Sequence, residues 1–315
     1  MRQTVFRGLQ QGAQVSWTLG KIVFPVTIIV TILQFTPVLD WFIRFVSPLM
    51  EFIGLPGEAA MPLVLGNTLN LYAGIGAIVS FDFTVKEVFI LAIMLSFSHN
   101  LFIESAVASR TGVSWWLISG IRIALAFIAA LVVHLVWDGG ASEAQYGFIA
   151  SSQADLTGWG EIIWYGMKTA LLAVIQLSLV IFPLMLVMQF FRDLGWLQKI
   201  SNIFQPFTKL LGMRENTSFT LVTGLTIGLA FGAGVMIQAV EEDGVSKKDM
   251  TLALLFLVTC HAVVEDTVIF IPLGIPVWPL LVIRFITAVL LTVAVAFVWN
   301  RAEKKKRRRA IVQEY

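Results

Sequence analysis

The stretch AAMPLVLGNTLNLYAGIGAIV (residues 59–79) recurs in altered form as TSFTLVTGLTIGLAFGAGVMIQAV (residues 217–240). Three glycines keep their spacing at an offset of 158 residues: Gly66, Gly74 and Gly76 in the first copy, and Gly224, Gly232 and Gly234 in the second. A Gly-rich apolar stretch either crosses a membrane in close contact with other helices or enters it and returns as a hairpin. The choice between these two alternatives decides the fold.

The repeat extends well beyond these glycines. Gly, Pro, His, Arg and Trp are rarer or geometrically more special than Leu, Val and Ile, so their matches are the informative ones. At offsets of 158 and then 162 the matched pairs of these types are Pro25 with Pro183, Pro48 with Pro206, His99 with His261, Gly112 with Gly274, Trp116 with Trp278, Arg122 with Arg284 and Trp137 with Trp299, and Phe24 next to Pro25 also matches Phe182. The matches predict a first repeat at residues 1–137, an exposed acidic linker at 138–160, a second repeat at 161–299 and a basic cytoplasmic tail at 300–315.

The composition is that of a membrane protein. Of the 315 residues, 57% are hydrophobic and 13% are charged, and the mean hydropathy is +0.84. Soluble domains carry about 25% charged residues. Six apolar segments have about the 20 residues that a bilayer-spanning helix needs: 15–35, 88–107, 115–137, 170–191, 250–270 and 277–299. We therefore predict an all-α polytopic membrane protein.

The charges predict how the two repeats face, because Lys and Arg accumulate on the cytoplasmic side. Three crossings per repeat place the linker outside, with its acidic residues Asp138, Glu143, Asp155 and Glu161. The segments that then lie inside are basic: Arg2 and Arg7, Arg110, residues 192–214 and the tail. Four crossings would instead put the linker inside and residues 192–214 outside, although Arg44 and Lys86 fit the three-crossing scheme poorly.

We therefore predict two inverted repeats. Each contains three transmembrane helices, an interfacial helix (39–53 and 194–211) and a Gly-rich re-entrant hairpin, a plan that recurs in transporters. The N- and C-termini are expected on the cytoplasmic side of a bacterial cytoplasmic (inner) membrane.

The third element of each repeat carries polar groups inside an apolar segment, where they are costly and usually functional. They are Ser96, Ser98, His99, Asn100, Glu104 and Ser105 in the first repeat, and Thr259, Cys260, His261, Glu265, Asp266 and Thr267 in the second. His261 and Glu265 are four residues apart and would share one helical face, whereas His99 and Glu104 need a local break to converge. A His beside a carboxylate can relay protons, bind a cation or hydrogen-bond a polar substrate. A solvated helix end is the alternative for Glu104.

The Gly-rich stretches supply a second group of candidates, either as hairpin tips that face the substrate or as tight packing surfaces. The complete predicted substrate-binding set is Asn67, Thr68, Asn70, Ser98, His99, Asn100, Glu104, Thr223, Thr226, His261, Glu265 and Asp266. For a metal ion the candidates are His99, Glu104, His261 and Glu265. Arg122 and Arg284 lie inside apolar helices. They bind an anion, pair with Glu104 or Asp266, or reach an interface, and structural pairing is favoured.

The run GLPGEAAMPLVLG (residues 54–66), followed by polar residues and a helix with a His and an acid, resembles the Gate or nucleoside recognition domain. The run LLGMRENTSFTLVTG (residues 210–224) is similar. This domain occurs twice in the ferrous-iron transporter B family, also appears in spore maturation proteins A and B, and is related to concentrative nucleoside transporters. The resemblance implies a hairpin-containing fold that moves a small polar solute or an ion. The iron transporters have a Cys-containing run where this chain has Gly66, Asn67 and Thr68, and they also have a GTPase domain.

These observations predict a membrane transporter or permease for a small polar solute, with a nucleoside-like solute as one option. The chain has no phosphate-binding Gly-rich loop, metal-binding Cys or His motif, or nucleophile motif, so we expect no enzyme and no cofactor apart from a coupling Na⁺ or H⁺. Transport of a divalent metal cation and a non-transporting scaffold, as in spore maturation proteins, are the alternatives. The expected partners are the lipid bilayer and the substrate, not nucleic acid, and the sequence is compatible with a homo-oligomer.

Overall fold

The computed structural model describes residues 2–149, 156 and 158–313, and the regular secondary structure of these residues is helical apart from two isolated β-bridges. The helices in the first half are α1 (Arg2–Leu33), α2 (Pro37–Phe52), α3 (Ala60–Thr68), α4 (Leu71–Ile78), α5 (Val85–Ser98), α6 (Leu101–Arg110) and α7 (Trp115–Val136). Those in the second half are α8 (Trp159–Asp193), α9 (Trp196–Leu210), α10 (Ser218–Ile227), α11 (Leu229–Glu241), α12 (Lys247–Thr259), α13 (Glu265–Val268) and α14 (Val277–Gln313). Each helix of the first half has its counterpart, in the same order, in the second.

The equivalent helices also begin alike. The side chain of Thr84 accepts a hydrogen bond from the backbone N–H of Glu87 at the start of α5, and Ser246 does the same for Asp249 at the start of α12. Such N-caps satisfy backbone donors that have no partner within the helix. Thr84 and Ser246 are related by the same offset of 162 as the two histidines.

Five segments within the described residues are long and apolar enough to cross a membrane: α1, the α5–α6 segment Val85–Arg110, α7, α8 and Val277–Lys306. They correspond to five of the six predicted spanning segments, as expected of an all-α multi-pass membrane protein. The sixth prediction, residues 250–270, is wrong as a continuous helix, because α12 ends at Thr259 and α13 has only four residues. Its hydropathy is continuous, so composition alone did not indicate the break.

The chain divides into two compact units, each built from both repeats. Unit 1 contains residues 1–102, 119–194 and 264–281, and unit 2 contains residues 103–118, 195–263 and 282–315. The units therefore do not coincide with the repeats, whose boundaries at residues 137 and 161 stay a prediction.

In unit 1, α1 and α8 pack against each other in antiparallel directions. Gly8 lies against Leu186, Gly12 against Phe182, and Gly20 against Val174. The residue numbers rise along one helix as they fall along the other. A Cβ atom added to Gly8 would lie 3.0 Å from the Cα of Leu186, so the small residues allow the two backbones to approach closely.

Both Gly-rich stretches fold back as helical hairpins. In unit 1, α3 and α4 meet where a Cβ on Gly74 would lie 3.2 Å from the Cα of Gly66. In unit 2, α10 and α11 turn at Gly228, whose φ of +87° favours glycine. The side-chain amide of Asn216, before α10, donates to the carbonyl of Asp243, after α11, at 3.2 Å. The two ends of this hairpin therefore lie together.

The described part of the linker packs on the start of α5 in unit 1. The backbone N–H groups of Val85 and Lys86 donate to the carbonyls of Ser142 and Gly140, both at 2.9 Å. Tyr146 is 1% exposed, and its hydroxyl accepts from the N–H of Phe83. The acid-rich composition predicted an exposed loop and did not indicate this buried tyrosine. Asp155 of the linker lies outside the described residues.

The predicted interfacial stretches form α2 and α9. Both helices carry exposed apolar side chains: Trp41 and Phe45 on α2 of unit 1, and Ile203 and Leu210 on α9 of unit 2. Exposed large apolar side chains are expected where a protein contacts the lipid bilayer.

Candidate functional site

The third element of each repeat is interrupted at its histidine. In unit 1, α5 ends before His99, and Asn100 has a φ of +53°. In unit 2, α12 ends before Cys260, and Ala262 has a φ of +41°. These are the only non-glycine residues with positive φ within the described part of the chain. Because such backbone is strained and the two positions are equivalent, the breaks are candidates for function.

Each break is held by the hairpin of the same repeat. The N–H of Asn100 donates to the carbonyl of Gly66 at 2.9 Å, near the end of α3. The equivalent N–H of Ala262 donates to the carbonyl of Gly224 at 3.1 Å, in the last turn of α10. In each unit, the C-terminal ends of two short helices therefore meet at the break.

A buried arginine donates to backbone carbonyls at each break. Arg122 donates from Nε to the carbonyl of Phe97 at 2.8 Å and from Nη2 to that of His99 at 2.6 Å. Arg284 donates from Nη2 to the carbonyl of His261 at 2.7 Å. Both arginines are 0% exposed, so they do not extend to a membrane interface, which was one of the predicted roles. A cation at a helix C-terminus is favourable because unpaired carbonyls accumulate there.

The histidines face carboxylates that come from the other repeat. In unit 2, Nε2 of His261 lies 3.2 Å from Oε1 of Glu104. In unit 1, Nε2 of His99 lies 4.0 Å from Oδ2 of Asp266. All four side chains are buried. The prediction that His261 faces Glu265 assumed a continuous helix, and the spacing rule loses its meaning where α12 ends.

The buried position of Glu104 also decides against a solvated helix end. Its side chain is 4% exposed, beside the imidazole of His261. The predicted candidates His99, Glu104, His261 and Asp266 thus belong to two equivalent His–carboxylate pairs, one in each unit.

The histidine tautomers leave Nε2 available to the carboxylates. Nδ1 of His99 lies 2.6 Å from the carbonyl of Leu95, and Nδ1 of His261 lies 2.8 Å from that of Leu257. Because a carbonyl oxygen only accepts, Nδ1 carries the proton in both rings. Nε2 is then the nitrogen that takes up a second proton, and the imidazolium so formed would lie beside a carboxylate. Chemically, the arrangement can bind, release or relay a proton.

Unit 1 contains a further polar contact that the sequence did not predict. The hydroxyl of Tyr72 on α4 donates to Oε1 of Glu265 on α13. A lone tyrosine in an apolar Gly-rich stretch was the available signal, because a buried tyrosine hydroxyl usually has a partner. Asn70 is used locally, since its side-chain oxygen accepts from the N–H of Ala73 as the N-cap of α4.

Two amide oxygens at the same break lack partners. Oδ1 of Asn67 and Oδ1 of Asn100 are buried without a hydrogen-bond partner among the described residues. Buried polar atoms nearly always have one, so these oxygens are available to a ligand. They lie on neighbouring segments, because the N–H of Asn100 donates to Gly66.

Three other predicted residues bond within their own helices. The hydroxyls of Thr68, Ser98 and Thr226 donate to the carbonyls four residues earlier in the chain. Thr223 is different, because its hydroxyl is buried without a partner in the described part of the protein. Thr223 is therefore the stronger threonine candidate in unit 2.

The repeat separates shared residues from unshared ones. The histidines, the carboxylates Glu104 and Asp266, and the arginines have equivalents in both repeats. The polar residues of unit 1 without a polar equivalent, each followed by its counterpart, are Asn67 (Leu225), Asn70 (Gly228), Tyr72 (Ala230), Asn100 (Ala262) and Glu265 (Ile103). Each unit therefore contains the same ionisable groups, whereas unit 1 also contains hydrogen-bonding groups that have no polar equivalent in the other repeat.

Comparison with known proteins agrees with this architecture. The family model Gate, described as nucleoside recognition, matches the chain twice, at residues 16–114 and 174–276. The uncharacterized membrane protein YvoD of Bacillus subtilis (strain 168) is 59% identical over 301 residues, which cover 96% of this chain and 96% of that protein. No solved structure matches the chain.

Proposed function

This chain belongs to the Gate (nucleoside recognition) family of membrane proteins, and we propose that it is a transporter of a small polar solute, coupled to a gradient of H⁺ or Na⁺. The observation that carries the proposal is the pair of buried His–carboxylate contacts at two broken helices. Ionisable groups inside a membrane are costly, and those that occur usually mark ion or substrate pathways. The bacterial cytoplasmic membrane is the proposed location.

The unshared polar residues of unit 1 are the proposed substrate site. The oxygens of Asn67 and Asn100 accept hydrogen bonds, and Glu265 is held by Tyr72. These groups suit a solute that presents N–H or O–H donors, as a nucleoside-like molecule does. The two symmetric His–carboxylate pairs are the proposed sites of the coupling ion, and no catalytic role is proposed for any residue.

The packing of α1 on α8 supports inverted repeats. These helices are equivalent in the two repeats, so parallel copies would place them parallel, yet they run antiparallel. A second contact supports the same topology: a Cβ on Gly274 would lie 2.6 Å from the carbonyl oxygen of Gln145 in the linker. Four crossings per repeat would put these two residues on opposite sides of the membrane.

The hairpin contacts support re-entry rather than crossing. In unit 1, the ring of His134 packs on Gly54, before α3, while Nζ of Lys86, after α4, donates to the carbonyl of His134. The start and the end of this Gly-rich stretch therefore lie close together beside His134, as expected of a hairpin that enters and leaves the membrane on the same side. In unit 2, the hydrogen bond from the side chain of Asn216 to the carbonyl of Asp243 likewise brings the start and the end of the Gly-rich stretch together.

Uptake into proteoliposomes tests the proposed function. Purified protein is reconstituted, and entry of labelled uridine and adenosine is followed with an imposed pH gradient and, separately, a Na⁺ gradient. We expect gradient-driven accumulation of at least one probe, with its gradient dependence abolished by Glu104→Gln. The matched control is Glu143→Gln, which neutralises an exposed carboxylate of the linker.

The other outcomes are equally informative. Uptake of Mn²⁺ without uptake of either nucleoside would replace the proposal with divalent-cation transport. No uptake of any probe, in protein that remains folded, would favour the non-transporting scaffold.

A further inference from the structure

We propose that Arg122 and Arg284 are positioning residues, each of which fixes one helix break and so aims one imidazole at the carboxylate from the other repeat. The inference rests on the proposed function only in one respect, namely that the imidazole takes part in binding the coupling ion. The geometry that carries it is independent of any substrate.

Each arginine holds the backbone of the histidine itself. Arg122 donates to the carbonyls of Phe97 and His99, and Arg284 donates to that of His261. The side chain of each histidine is held separately, by the bond from Nδ1 to the carbonyl four residues earlier. With the peptide and Nδ1 both fixed, the direction of Nε2 has little freedom left.

The breaks need such a cation for an electrostatic reason. The carbonyls at the C-terminus of a helix carry a partial negative charge, and two helix ends meet at each break. Away from water, a backbone carbonyl that accepts no hydrogen bond strongly destabilises the structure. A guanidinium offers several donors in a fixed planar arrangement, whereas a lysine offers one compact charged group. The arginine is therefore suited to hold the break in one geometry.

Histidine NMR tests the proposal directly, because the chain contains only three histidines: His99, His134 and His261. Protein labelled with ¹⁵N-histidine in lipid gives one set of imidazole signals for each. In Arg122→Lys we expect the His99 signals to move while those of His261 stay in place, and in Arg284→Lys we expect the reverse. His134 is the internal reference, since it contacts neither arginine through any of these bonds.

Two results would overturn the proposal. One is unchanged imidazole signals in both variants. The other is an equal shift of all three histidines in each variant, which would indicate a general loosening of the fold. Neither result depends on transport, so failure here is distinguishable from failure of the proposed function.

The native cysteine provides a second measurement that needs no purification. Cys260 is 0% exposed, directly before His261, and Ser98 is its equivalent in the first repeat. In native membranes, Arg284→Lys should speed alkylation of Cys260 about tenfold, as expected when a buried charged hydrogen bond is lost. Arg122→Lys is the matched control and should leave that rate unchanged.

The reciprocal experiment uses Ser98→Cys in a Cys260→Ser background. There Arg122→Lys should speed the labelling, and Arg284→Lys should not. Equal acceleration by both arginine variants at both cysteines would contradict separate positioning roles.

Discussion

At the scale of single residues, the site depends on the pairing of ionisable groups across the repeats. His261 and Glu104 lie 157 positions apart in the chain but 3.2 Å apart in unit 2. Local periodicity relates only residues within a few turns of one helix, so the sequence predicted that these side chains matter but not which of them meet. Tyr72 was missed for the same reason, since its partner Glu265 lies in the second repeat.

A double-mutant cycle tests the pairing of Glu104 with His261. Each neutral substitution, Glu104→Gln and His261→Gln, should lower the free energy of unfolding by about 1–3 kcal/mol, because a buried polar partner is lost. In the double variant, the free energy of unfolding should fall by clearly less than the sum of the two single effects, since the two side chains interact directly. Thermal or denaturant unfolding in detergent measures all three variants.

The control for this cycle is Glu104→Gln combined with Asp243→Asn, an exposed loop residue of the same unit. The effects of these two substitutions on the free energy of unfolding should be additive to within about 0.5 kcal/mol. Equal additivity in the Glu104 and His261 cycle would show that the pair is not energetically coupled.

Tyr72 is expected to serve binding more than folding. Tyr72→Phe removes the hydroxyl that orients Glu265 and should lower probe uptake in proteoliposomes about tenfold, the loss of one charge-assisted hydrogen bond. Tyr165→Phe on α8 is the matched control. If Tyr72→Phe transports as well as the control does, Tyr72 has no part in the site.

Asp82 lies in the loop before α5, outside the membrane-spanning segments, and it makes stability depend on pH. Burial, followed by the nearby carboxylate of Glu143, raises the pKa of Asp82 above its ordinary value. The pKa of Asp82 is therefore higher in the folded than in the unfolded protein. Ionisation of Asp82 costs no folding stability below about pH 4, and the loss of stability grows as the pH rises through the folded-state pKa. Asp82→Asn should raise the unfolding temperature slightly at pH 7 but not at pH 4. A lower unfolding temperature of the variant at pH 7 would contradict this assignment.

At the scale of helices, the order of elements could be predicted from sequence, whereas the breaks could not. The matched Gly, Pro and Trp residues predicted two copies with the same parts, and α1–α7 correspond in order to α8–α14. Residues 250–270 are apolar throughout, so nothing in their hydropathy indicated that α12 ends at Thr259. The α1–α8 contact was also missed, although Gly8 and Gly12 have the four-residue spacing of close helix packing.

Gly8 provides the test of the α1–α8 contact. A Cβ there would meet the backbone of Leu186, so Gly8→Ala should lower the free energy of unfolding by about 1–3 kcal/mol through overpacking. Gly20→Ala is the matched control, because its Cβ would lie 3.4 Å from the flexible side chain of Val174. Unfolding curves of the two variants give the comparison, and equal stability would mean that the close contact at Gly8 is not maintained in the membrane.

In the molecule as a whole, we propose that one structural unit occurs twice in opposite orientations. The positive charges predicted this arrangement from the sequence, and the antiparallel packing of α1 on α8 supports it independently. Each helix break contributes a histidine to one pair and a carboxylate to the other, as expected of two equivalent repeats. Parallel copies would instead place the basic residues 192–214 outside, against the positive-inside rule.

The most direct test of this claim is the sidedness of two exposed residues, Ser142 in the linker and Asn216 before α10. Each is replaced by cysteine in a Cys260→Ser background and labelled with a membrane-impermeant maleimide, first in intact cells and then in inverted vesicles. Inverted repeats predict that Ser142→Cys is labelled from outside and Asn216→Cys from the cytoplasmic side. Labelling of Ser142→Cys only from the cytoplasm and of Asn216→Cys only from outside would contradict the account, because the Gly-rich hairpins would then cross the membrane.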